Sequence, residues 1–335
     1  MSRPGLVNLG NTCFMNSLLQ ILIDVDDFNT LFSSNHSYNN LLSTFKDLFI
    51  ESRKNYNKNI IINPKKFHSH LQINAKDYKN NIFLGYSQND SSELLIFLLE
   101  IFHDNIKREV IMNIEGNPEN LKDELAIKCY KMKKTSIEDS YSEVYDLFYF
   151  IQVEQIFDKE KNLLNNIPQW NCQLSLPLLK QEQNKTSMDL KECIENYLLG
   201  FDYKDEIGDY NKESKKNQLL TKIPKFWDLP NILVVVLQRF SNFNKNNMLV
   251  NFPIKNLDMT EYVIGYNNNK FIYDLIGVCN HSGIINGGHY TCYSKTNNNW
   301  YLYNDSHTSL VKNTNDIISN NAYCLFYKKK TLYNI

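Results

Sequence analysis

The spacing of apolar residues predicts a helical first part of the chain. After Cys13, apolar side chains recur at helical spacing until Asp24, and a second stretch of this kind runs from about Asn39 to Ser52. A third stretch, Ser91 to Phe102, is almost continuously apolar, so we expect a buried helix there. About the first hundred residues are therefore predicted to be mainly helical.

From Asn231 onward the pattern changes to one that favours β-strands. The β-branched, apolar run Ile232–Phe240 is typical of a central strand. Turn residues separate the strand-like segments that follow, which are Phe271–Val278, His289–Ser294, Trp300–Tyr303 and Ala322–Tyr327. Helices first and an antiparallel sheet afterwards predict an α+β protein.

The region between Asn113 and Lys225 has a weaker pattern. A charged helical stretch, Leu121–Met132, alternates with strand-like segments at Leu147–Val153 and Cys172–Leu176. Elsewhere, asparagine runs such as residues 297–299 lack apolar periodicity, and we interpret them as surface loops.

Composition and charge exclude several classes of protein. The 335 residues are 42% hydrophobic and 22% charged, which is ample for a packed core and excludes a disordered or fibrous chain. The 36 basic and 37 acidic residues give a formal charge of −1, so neither nucleic acid nor a membrane surface is indicated as a partner. At roughly 150 residues per domain, the length fits two domains or one large lobed domain.

No segment of the sequence predicts membrane insertion or secretion. The apolar run Ile232–Leu237 is far shorter than the ~20 residues that span a bilayer, and the first residues show no apolar signal segment. Seven scattered cysteines without a Cys-x-x-Cys pair favour neither a disulfide scaffold nor a zinc knuckle. We expect a soluble, monomeric, intracellular protein of the cytoplasm or nucleus.

The segment around Cys13 suggests a nucleophile at the start of a helix. It reads Gly5-Leu-Val-Asn8-Leu-Gly10-Asn11-Thr12-Cys13-Phe-Met-Asn16. Thr12 is placed to cap the helix, and the free N–H groups and positive dipole end there favour a thiolate at Cys13. A buried structural cysteine is the alternative interpretation, because a free cysteine often acts as a small apolar residue.

A second segment, far along the chain, supplies a candidate base. Residues 281–290 contain His281, His289 and three of the 11 glycines, which predicts a flexible loop that lets another backbone approach. A strand beginning at His289 fixes its imidazole at the edge of this loop, and a histidine is the proton acceptor that a cysteine nucleophile requires. We interpret His281 as a residue that shapes the loop.

The third catalytic partner is predicted from hairpin geometry. The strand of His289 and the next strand are joined by an Asn-rich turn. A turn centred between residues 296 and 297 places Asn304 opposite the histidine. A turn centred on residue 297 places Asp305 there instead. Because the turn type sets the register, both side chains remain candidates for holding the imidazole.

These segments resemble the cysteine and histidine boxes of the ubiquitin-specific proteases. Three further segments are similar to boxes of that family: Gln88-Asn89-Asp90-Ser-Ser-Glu93, Leu237-Gln238-Arg239-Phe240 and Trp300…Tyr303-Asn304-Asp305-Ser306. The similar segments extend from Leu6 to Tyr327 and cover essentially the whole chain. The resemblance implies a single catalytic domain, residues 1–335, with a papain-like α+β fold.

The fold implied by the resemblance has the parts of a right hand. Residues 1–112 form a helical thumb that carries Cys13, and residues 226–335 form a β palm that carries His289. Residues 113–225 form the fingers between them.

The fingers are where the sequence departs from the family. Many members carry two Cys-x-x-Cys pairs that bind structural zinc, but residues 148–163 and 200–218 contain no cysteine. His68-x-His70 would put two imidazoles on one strand face, yet no cysteine or acidic companion favours a metal there. We therefore expect no metal and no cofactor.

The resemblance also assigns roles to individual residues. The catalytic roles are those of Cys13 as nucleophile, His289 as general base, Asn304 with its neighbour Asp305 as third triad member, and Asn8 as donor to the oxyanion. The residues implied in substrate binding are Gln88, Asp90, Glu93, Gly287, Gly288 and Tyr290. For Asp90 a structural role is the alternative, because Ser87-x-x-Asp90 fits a helix capping box.

The function implied is that of a thiol isopeptidase which hydrolyses the bond after the C-terminal glycine of ubiquitin in ubiquitinated proteins. The basic, extended tail of ubiquitin is expected between thumb and palm, along Asp90 and Glu93, with Gly287 and Gly288 at the narrowest point. Two alternatives remain open: a protease for a ubiquitin-like modifier, and a catalytically silent scaffold that binds ubiquitin.

Overall fold

A computed structural model of the chain describes residues 2–32, 40–178, 186–205, 218–241, 244–266, 270–284 and 287–331. Parts of the predicted fingers, residues 179–185 and 206–217, lie outside these ranges. The described helices are α1 (Cys13–Asp24), α2 (Phe28–Phe32), α3 (Leu41–Lys54), α4 (Lys65–Asp77), α5 (Ser91–Ile106), α6 (Leu121–Ile137), α7 (Glu143–Phe148) and α8 (Leu190–Leu198).

The strands follow the same order along the chain. The described strands are β1 (Gly5–Leu6), β2 (Ile61–Ile62), β3 (Phe150–Phe157), β4 (Leu163–Asn171), β5 (Leu174–Pro177), β6 (Ser187–Asp189), β7 (Phe201–Asp205), β8 (Gln218–Phe226), β9 (Ile232–Gln238), β10 (Phe240–Ser241), β11 (Asn244–Lys245), β12 (Leu249–Asn251), β13 (Leu257–Asp258), β14 (Ile272–Ile284), β15 (Gly287–Thr296), β16 (Asn299–Asn304), β17 (His307–Leu310) and β18 (Ala322–Lys329).

The predicted helices after Cys13 and Ser91 are confirmed as α1 and α5. The predicted helix from about Asn39 is α3, which begins at Leu41 because the Asn40 side chain caps it. Helix α4 was not predicted, and it contains both members of the His68-x-His70 pair. Residues two apart on a helix do not face each other, so the idea of two imidazoles on one strand face is wrong.

The main sheet explains the apolar run at residues 232–237. Among the described residues it has eight strands in the order β17-β16-β15-β14-β18-β9-β5, with β13 also paired to β14. Strand β9 is buried on both faces: Ile232, Val234 and Val236 pack with the helices, whereas the alternate residues pack with the core on the other face. Two buried faces require continuous apolar sequence, as predicted for a central strand.

The order of the main sheet differs in one place from the predicted antiparallel arrangement. Strand β5, Leu174–Pro177, runs parallel to β9 at the edge. This strand falls within residues 113–225, the range predicted for the fingers. The division of the chain into thumb, fingers and palm stays a prediction.

A second sheet lies in the middle region of the chain. Its described strands have the order β4-β3-β8-β7, and α6 packs on it through a small core that includes Cys129, Val153 and Trp227. No residue of β4 is fully buried, which explains why its sequence pattern is weak.

Three cysteines of the main sheet lie next to one another in the core. Cys279 on β14 pairs with Cys292 on β15 and with Cys324 on β18, and all three are buried. Within the described ranges, no helix has the length and apolar character needed to span a bilayer.

The segment before α1 is joined to the turn after β16. The N–H of Leu6 donates to the carbonyl oxygen of Asp305 at 2.8 Å, and the Thr308 hydroxyl donates to the carbonyl oxygen of Arg3 at 2.7 Å. A Cβ at Gly5 would lie 2.3 Å from the carbonyl oxygen of Ser306, so only glycine permits this approach. The two segments that carry the predicted catalytic residues are therefore in direct contact.

Candidate active site

The loop before α1 is organised by Asn8. Its Oδ1 accepts hydrogen bonds from the N–H groups of Gly10 (3.0 Å) and Thr12 (3.2 Å) and from the Thr12 hydroxyl (3.3 Å). The predicted cap of α1 by the Thr12 side chain is wrong, because its hydroxyl accepts from the N–H of Leu9 and makes no cap bond. The loop thus delivers Cys13 as the first residue of α1.

Cys13 lies at the floor of the site with only 4% of its surface exposed. Burial raises the pKa of its thiol, and the negative charge of Asp305 raises it further. Backbone hydrogen bonds from Tyr290, Phe14 and Cys13 itself lower the pKa but do not offset the rise. Burial thus opposes the thiolate that the start of the helix was predicted to favour, and the thiol needs a base to become a nucleophile.

His289 stands on β15, the strand against which α1 packs. The backbone of Tyr290, the next residue on β15, is one of the groups that lower the pKa of the Cys13 thiol. The imidazole Nε2 lies 2.6 Å from Oδ1 of Asn304. Because an amide oxygen only accepts, Nε2 carries the proton and Nδ1 is the nitrogen left for the thiol proton.

The hairpin register differs from both predicted registers. Strands β15 and β16 are joined by a two-residue turn with positive φ at Asn297 (49°) and Asn298 (63°), as in a type I′ turn. The centre of this turn, between Asn297 and Asn298, lies further along the sequence than either predicted centre. The last paired residues of the two strands are Cys292 and Tyr303, so His289 lies beyond the paired region. Asn304 reaches the imidazole from beyond the end of the ladder, not as a direct cross-strand partner.

Asp305 serves a different neighbour. Among the described contacts it has none with the imidazole: its Oδ2 accepts from Nδ2 of Asn8 at 2.9 Å, and its Oδ1 accepts from Nδ2 of Asn16 at 2.8 Å. The two candidates left open by the sequence are thus separated, with Asn304 at the histidine and Asp305 at Asn8. In the described contacts, one amide hydrogen of the exposed Asn8 side chain is still unused.

Asn16 is the residue of this group that the sequence analysis missed. It follows Cys13 by three positions on α1, and residues at that spacing lie on neighbouring parts of a helix surface. The signal was therefore present, but a buried asparagine inside an apolar helix is ordinarily interpreted as a structural residue.

We expect Asn304→Ala to lower kcat/KM about 10-fold to 100-fold, because the imidazole loses the partner that fixes its orientation and protonated nitrogen. His307→Ala is the matched control, since His307 pairs with Asn304 in the β16–β17 ladder and its exposed side chain has Ser306 as its hydrogen-bond partner in the described part of the chain. Steady-state hydrolysis of a ubiquitin C-terminal substrate measures both. Equal rates for the two variants would argue against Asn304 as the third triad member.

A cleft of about 410 Å³ lies between the start of α5 and the main sheet. Four residues predicted to bind substrate line it: Gln88, Asp90, Glu93 and Tyr290. Because Tyr290 directly follows His289 on β15, the cleft borders the strand that carries the imidazole.

The side chain of Gln88 makes two hydrogen bonds to the backbone of Gly288 across this cleft, a pair of contacts that we call the Gln88–Gly288 clasp. Its Oε1 accepts from the N–H of Gly288 at 2.9 Å, and its Nε2 donates to the carbonyl oxygen of the same residue at 3.2 Å. A Cβ on Gly288 would lie 2.3 Å from Nε2 of His281, whereas Gly287 faces open space. Of the two glycines predicted at the narrowest point, close packing therefore requires only Gly288.

Asp90 caps α5 at the cleft wall. Its Oδ1 accepts from the N–H groups of Ser92 (2.7 Å) and Glu93 (3.2 Å), and its Oδ2 accepts from the Tyr323 hydroxyl at 2.6 Å. The predicted capping box starting at Ser87 is wrong, because Asp90 itself is the N-cap residue. With the exposed Glu93 in the first turn, the wall carries two carboxylates.

His281 lies in a strand rather than in a flexible loop, so that prediction is wrong. Strands β14 and β15 stay paired as far as Ile284 and Gly287, and residues 285–286 between them are outside the described residues. The buried ring of His281 packs edge-on against Tyr290, and burial lowers its pKa to about 4. It is therefore neutral near pH 7.

No group of three or more His, Cys, Asp or Glu side chains in the described ranges is arranged to hold a metal ion. A buried thiol, an oriented imidazole and an unused amide donor together suit nucleophilic attack on a carbonyl carbon.

The sequence of the chain is similar to those of known proteins. A family model described as ubiquitin carboxyl-terminal hydrolase matches residues 4–327. Ubiquitin carboxyl-terminal hydrolase 2 of Bos taurus is 31% identical over 349 aligned positions, which cover 97% of this chain and 54% of the bovine protein. The Gallus gallus protein of the same name is 31% identical, with 97% of this chain and 92% of that protein covered. The chain spans about half of the bovine relative.

Solved structures with a similar fold include SAGA DUB modules. A Ubp8/Sgf11/Sus1/Sgf73 module bound to monoubiquitin has a TM-score of 0.70 and 23% identity, covering 98% of this chain and 70% of that chain. The module bound to ubiquitin aldehyde has a TM-score of 0.70 and 22% identity, with the same coverage. The predicted papain-like α+β fold is confirmed by this likeness.

Proposed function

This chain belongs to the ubiquitin carboxyl-terminal hydrolase family, and we propose that it is a thiol isopeptidase which hydrolyses the bond after the C-terminal glycine of ubiquitin. The observation that carries the proposal is the 2.6 Å contact between His289 Nε2 and Asn304 Oδ1, because His289 lies on the strand against which the helix of Cys13 packs. This contact leaves the free imidazole nitrogen to serve the thiol.

The first step is proton transfer from Cys13 to His289. Because the pKa of the thiol is raised, little thiolate exists at neutral pH without a base. Nδ1 of His289 takes the proton as the sulfur attacks the carbonyl carbon, and Asn304 keeps the imidazolium in place through Nε2.

The second requirement is a donor to the oxygen that becomes negative. Asn8 offers one uncommitted N–H, and the backbone N–H of Cys13 at the start of α1 is the other candidate. A donor already aimed at the developing charge is commonly worth ~10²–10³ in rate. Asp305 contributes by holding Asn8, since its own charge would repel an oxyanion.

The remaining steps reverse the proton transfer. His289 returns its proton to the leaving lysine amine, which breaks the C–N bond and leaves a thioester on Cys13. A water molecule then gives a proton to the neutral His289 and attacks the thioester carbon, which frees the thiol and the ubiquitin carboxylate.

The cleft suits the tail of the proposed substrate. Asp90 and Glu93 make one wall acidic, which complements the basic tail that the family resemblance implies for ubiquitin. At the inner end the Gln88–Gly288 clasp leaves a narrow passage, and a tail that ends in glycine needs no room for side chains there.

Ubiquitin bearing a C-terminal electrophile tests the substrate. We expect the wild-type protein to form a covalent adduct with this probe at Cys13, measured by intact mass and peptide mapping. Parallel probes built on ubiquitin-like modifiers should react at least about 10-fold more slowly. Preferential reaction with one of those probes would favour the modifier protease, whereas tight ubiquitin binding without any adduct would favour the silent scaffold.

A further inference from the structure

A buried amide lies close after Cys13 on α1. Asn16 has only 1% of its surface exposed. Its Nδ2 donates one hydrogen to Oδ1 of Asp305 at 2.8 Å and the other to the carbonyl oxygen of Val7 at 3.2 Å. One side chain thus joins α1, the loop before it and the turn after β16.

The carboxylate of Asp305 lies between two amides of different exposure. Oδ1 faces the buried Asn16, and Oδ2 accepts from the exposed Asn8 at 2.9 Å. The backbone of Asp305 is also fixed, since its φ is 50° and its carbonyl oxygen accepts from Leu6. The hydrogen bond from Asn16 therefore fixes the Asp305 carboxylate on its buried side, and the carboxylate in turn orients the amide of Asn8.

The place occupied by Nδ2 of Asn16 requires a hydrogen-bond donor. Both of its partners are acceptors, so an oxygen there would repel them. Its own Oδ1 is buried and has no hydrogen-bond partner among the described residues. A buried carbonyl left unsatisfied is unfavourable and needs an explanation, and the two bonds of the nitrogen provide one.

We infer that Asn16 is a positioning residue for the oxyanion donor. Asn16 anchors Asp305, Asp305 occupies one N–H of Asn8, and the second N–H of Asn8 is thereby aimed at the carbonyl oxygen of the substrate. This inference rests on the proposed function, in which Asn8 donates to the oxyanion. Preorganisation of this kind spares the enzyme the cost of reorienting the donor during the reaction.

Gln20 provides a matched control on the same helix. It has 3% of its surface exposed, and its Nε2 donates to the carbonyl oxygen of Pro4 at 3.0 Å. It therefore ties α1 to the preceding segment much as Asn16 does, but its described hydrogen bonds do not include Asp305. The difference in kcat between Asn16→Ala and Gln20→Ala therefore reports the effect of losing the hydrogen bond to Asp305.

Steady-state kinetics on a ubiquitin C-terminal substrate form the first part of the test. We expect Asn16→Ala to lower kcat about 10-fold to 100-fold with KM within about 3-fold, a smaller loss than the ~10²–10³ of removing a donor. Gln20→Ala should keep kcat within about 3-fold. In an Asn8→Ala background, Asn16→Ala should add less than about 2-fold, because the donor it positions is already absent.

The second part needs no substrate. The Nδ2 hydrogen of Asn8 that Asp305 accepts, observed by NMR in the unbound protein, should exchange faster with solvent in Asn16→Ala and stay unchanged in Gln20→Ala, whereas the bonds that Gly10 and Thr12 donate to Asn8 Oδ1 remain in both variants. Asn16→Ser, which retains a smaller polar group, replaces the alanine variant if the latter is unfolded at the assay temperature.

The outcomes separate this inference from the function on which it rests. An unchanged exchange rate of this Asn8 hydrogen, a kcat loss no larger than that of Gln20→Ala, or additive losses in the Asn8→Ala background each overturn the positioning role. A wild-type protein that leaves ubiquitin substrates intact overturns the proposed function instead, while the NMR comparison still decides whether Asn16 orders Asn8.

Discussion

A Cys13→Ala variant is expected to lose at least about 10⁴-fold in kcat on a ubiquitin–lysine isopeptide, with the Kd for ubiquitin within about 3-fold of wild type. Alanine has no nucleophile, and the oxyanion donors alone retain only a residual acceleration. Binding persists because the acidic wall and the Gln88–Gly288 clasp do not involve the sulfur. Single-turnover cleavage and equilibrium binding give the two numbers.

Cys324→Ala is the control for the loss of a buried sulfur. Cys324 lies on β18 in the core and takes no part in the proposed chemistry. Its variant should show a lower Tm, because a cavity remains, while kcat stays within about 3-fold of wild type. Turnover that survives Cys13→Ala would end the proposed mechanism.

His289→Ala is expected to lower kcat/KM about 10³-fold to 10⁴-fold at pH 7, and the deficit should shrink as the pH rises. The pKa of the Cys13 thiol is raised by burial and by Asp305, so without its base the thiol is protonated at pH 7. A group with a raised pKa gains its anion only at higher pH. The residual rate should therefore increase close to 10-fold per pH unit until the pH passes the thiol pKa.

The pH profile of thiol alkylation, recorded between pH 7 and 9, checks the same point without ubiquitin. His70→Ala, a change on α4 outside the site, should leave both profiles unchanged. A flat residual rate in His289→Ala over this range would show that the thiol is already ionised, contrary to the burial of Cys13.

The parts of the fold that could be predicted are those in which most residues of an element are buried. Helix α1 is buried along nearly its whole length and β9 on both faces, so their apolar patterns are long and unambiguous. Strand β4 has no fully buried residue, and its sequence therefore carries little signal. Helix α4 has a narrow buried stripe among polar residues, which a search for apolar runs overlooks.

The sequence identified candidate catalytic residues but not the contacts between them. Asn304 and Asp305 could not be told apart, because a shift of a turn centre by half a residue changes the partner and asparagine accepts the positive φ that a type I′ turn requires. The link from Asn16 through Asp305 to Asn8 joins residues almost 300 positions apart, and no local pattern encodes such a contact. The raised thiol pKa likewise depends on burial by β15, which α1 alone does not reveal.

The contact between residues 3–8 and residues 305–308 has a consequence for folding. The bonds Leu6–Asp305 and Arg3–Thr308 join residues roughly 300 positions apart, and contacts at such sequence separation slow folding. We therefore expect the segment of Cys13 and the turn beside Asn304 to come together only when the main sheet has formed, so that no part of the site is assembled before the rest of the fold.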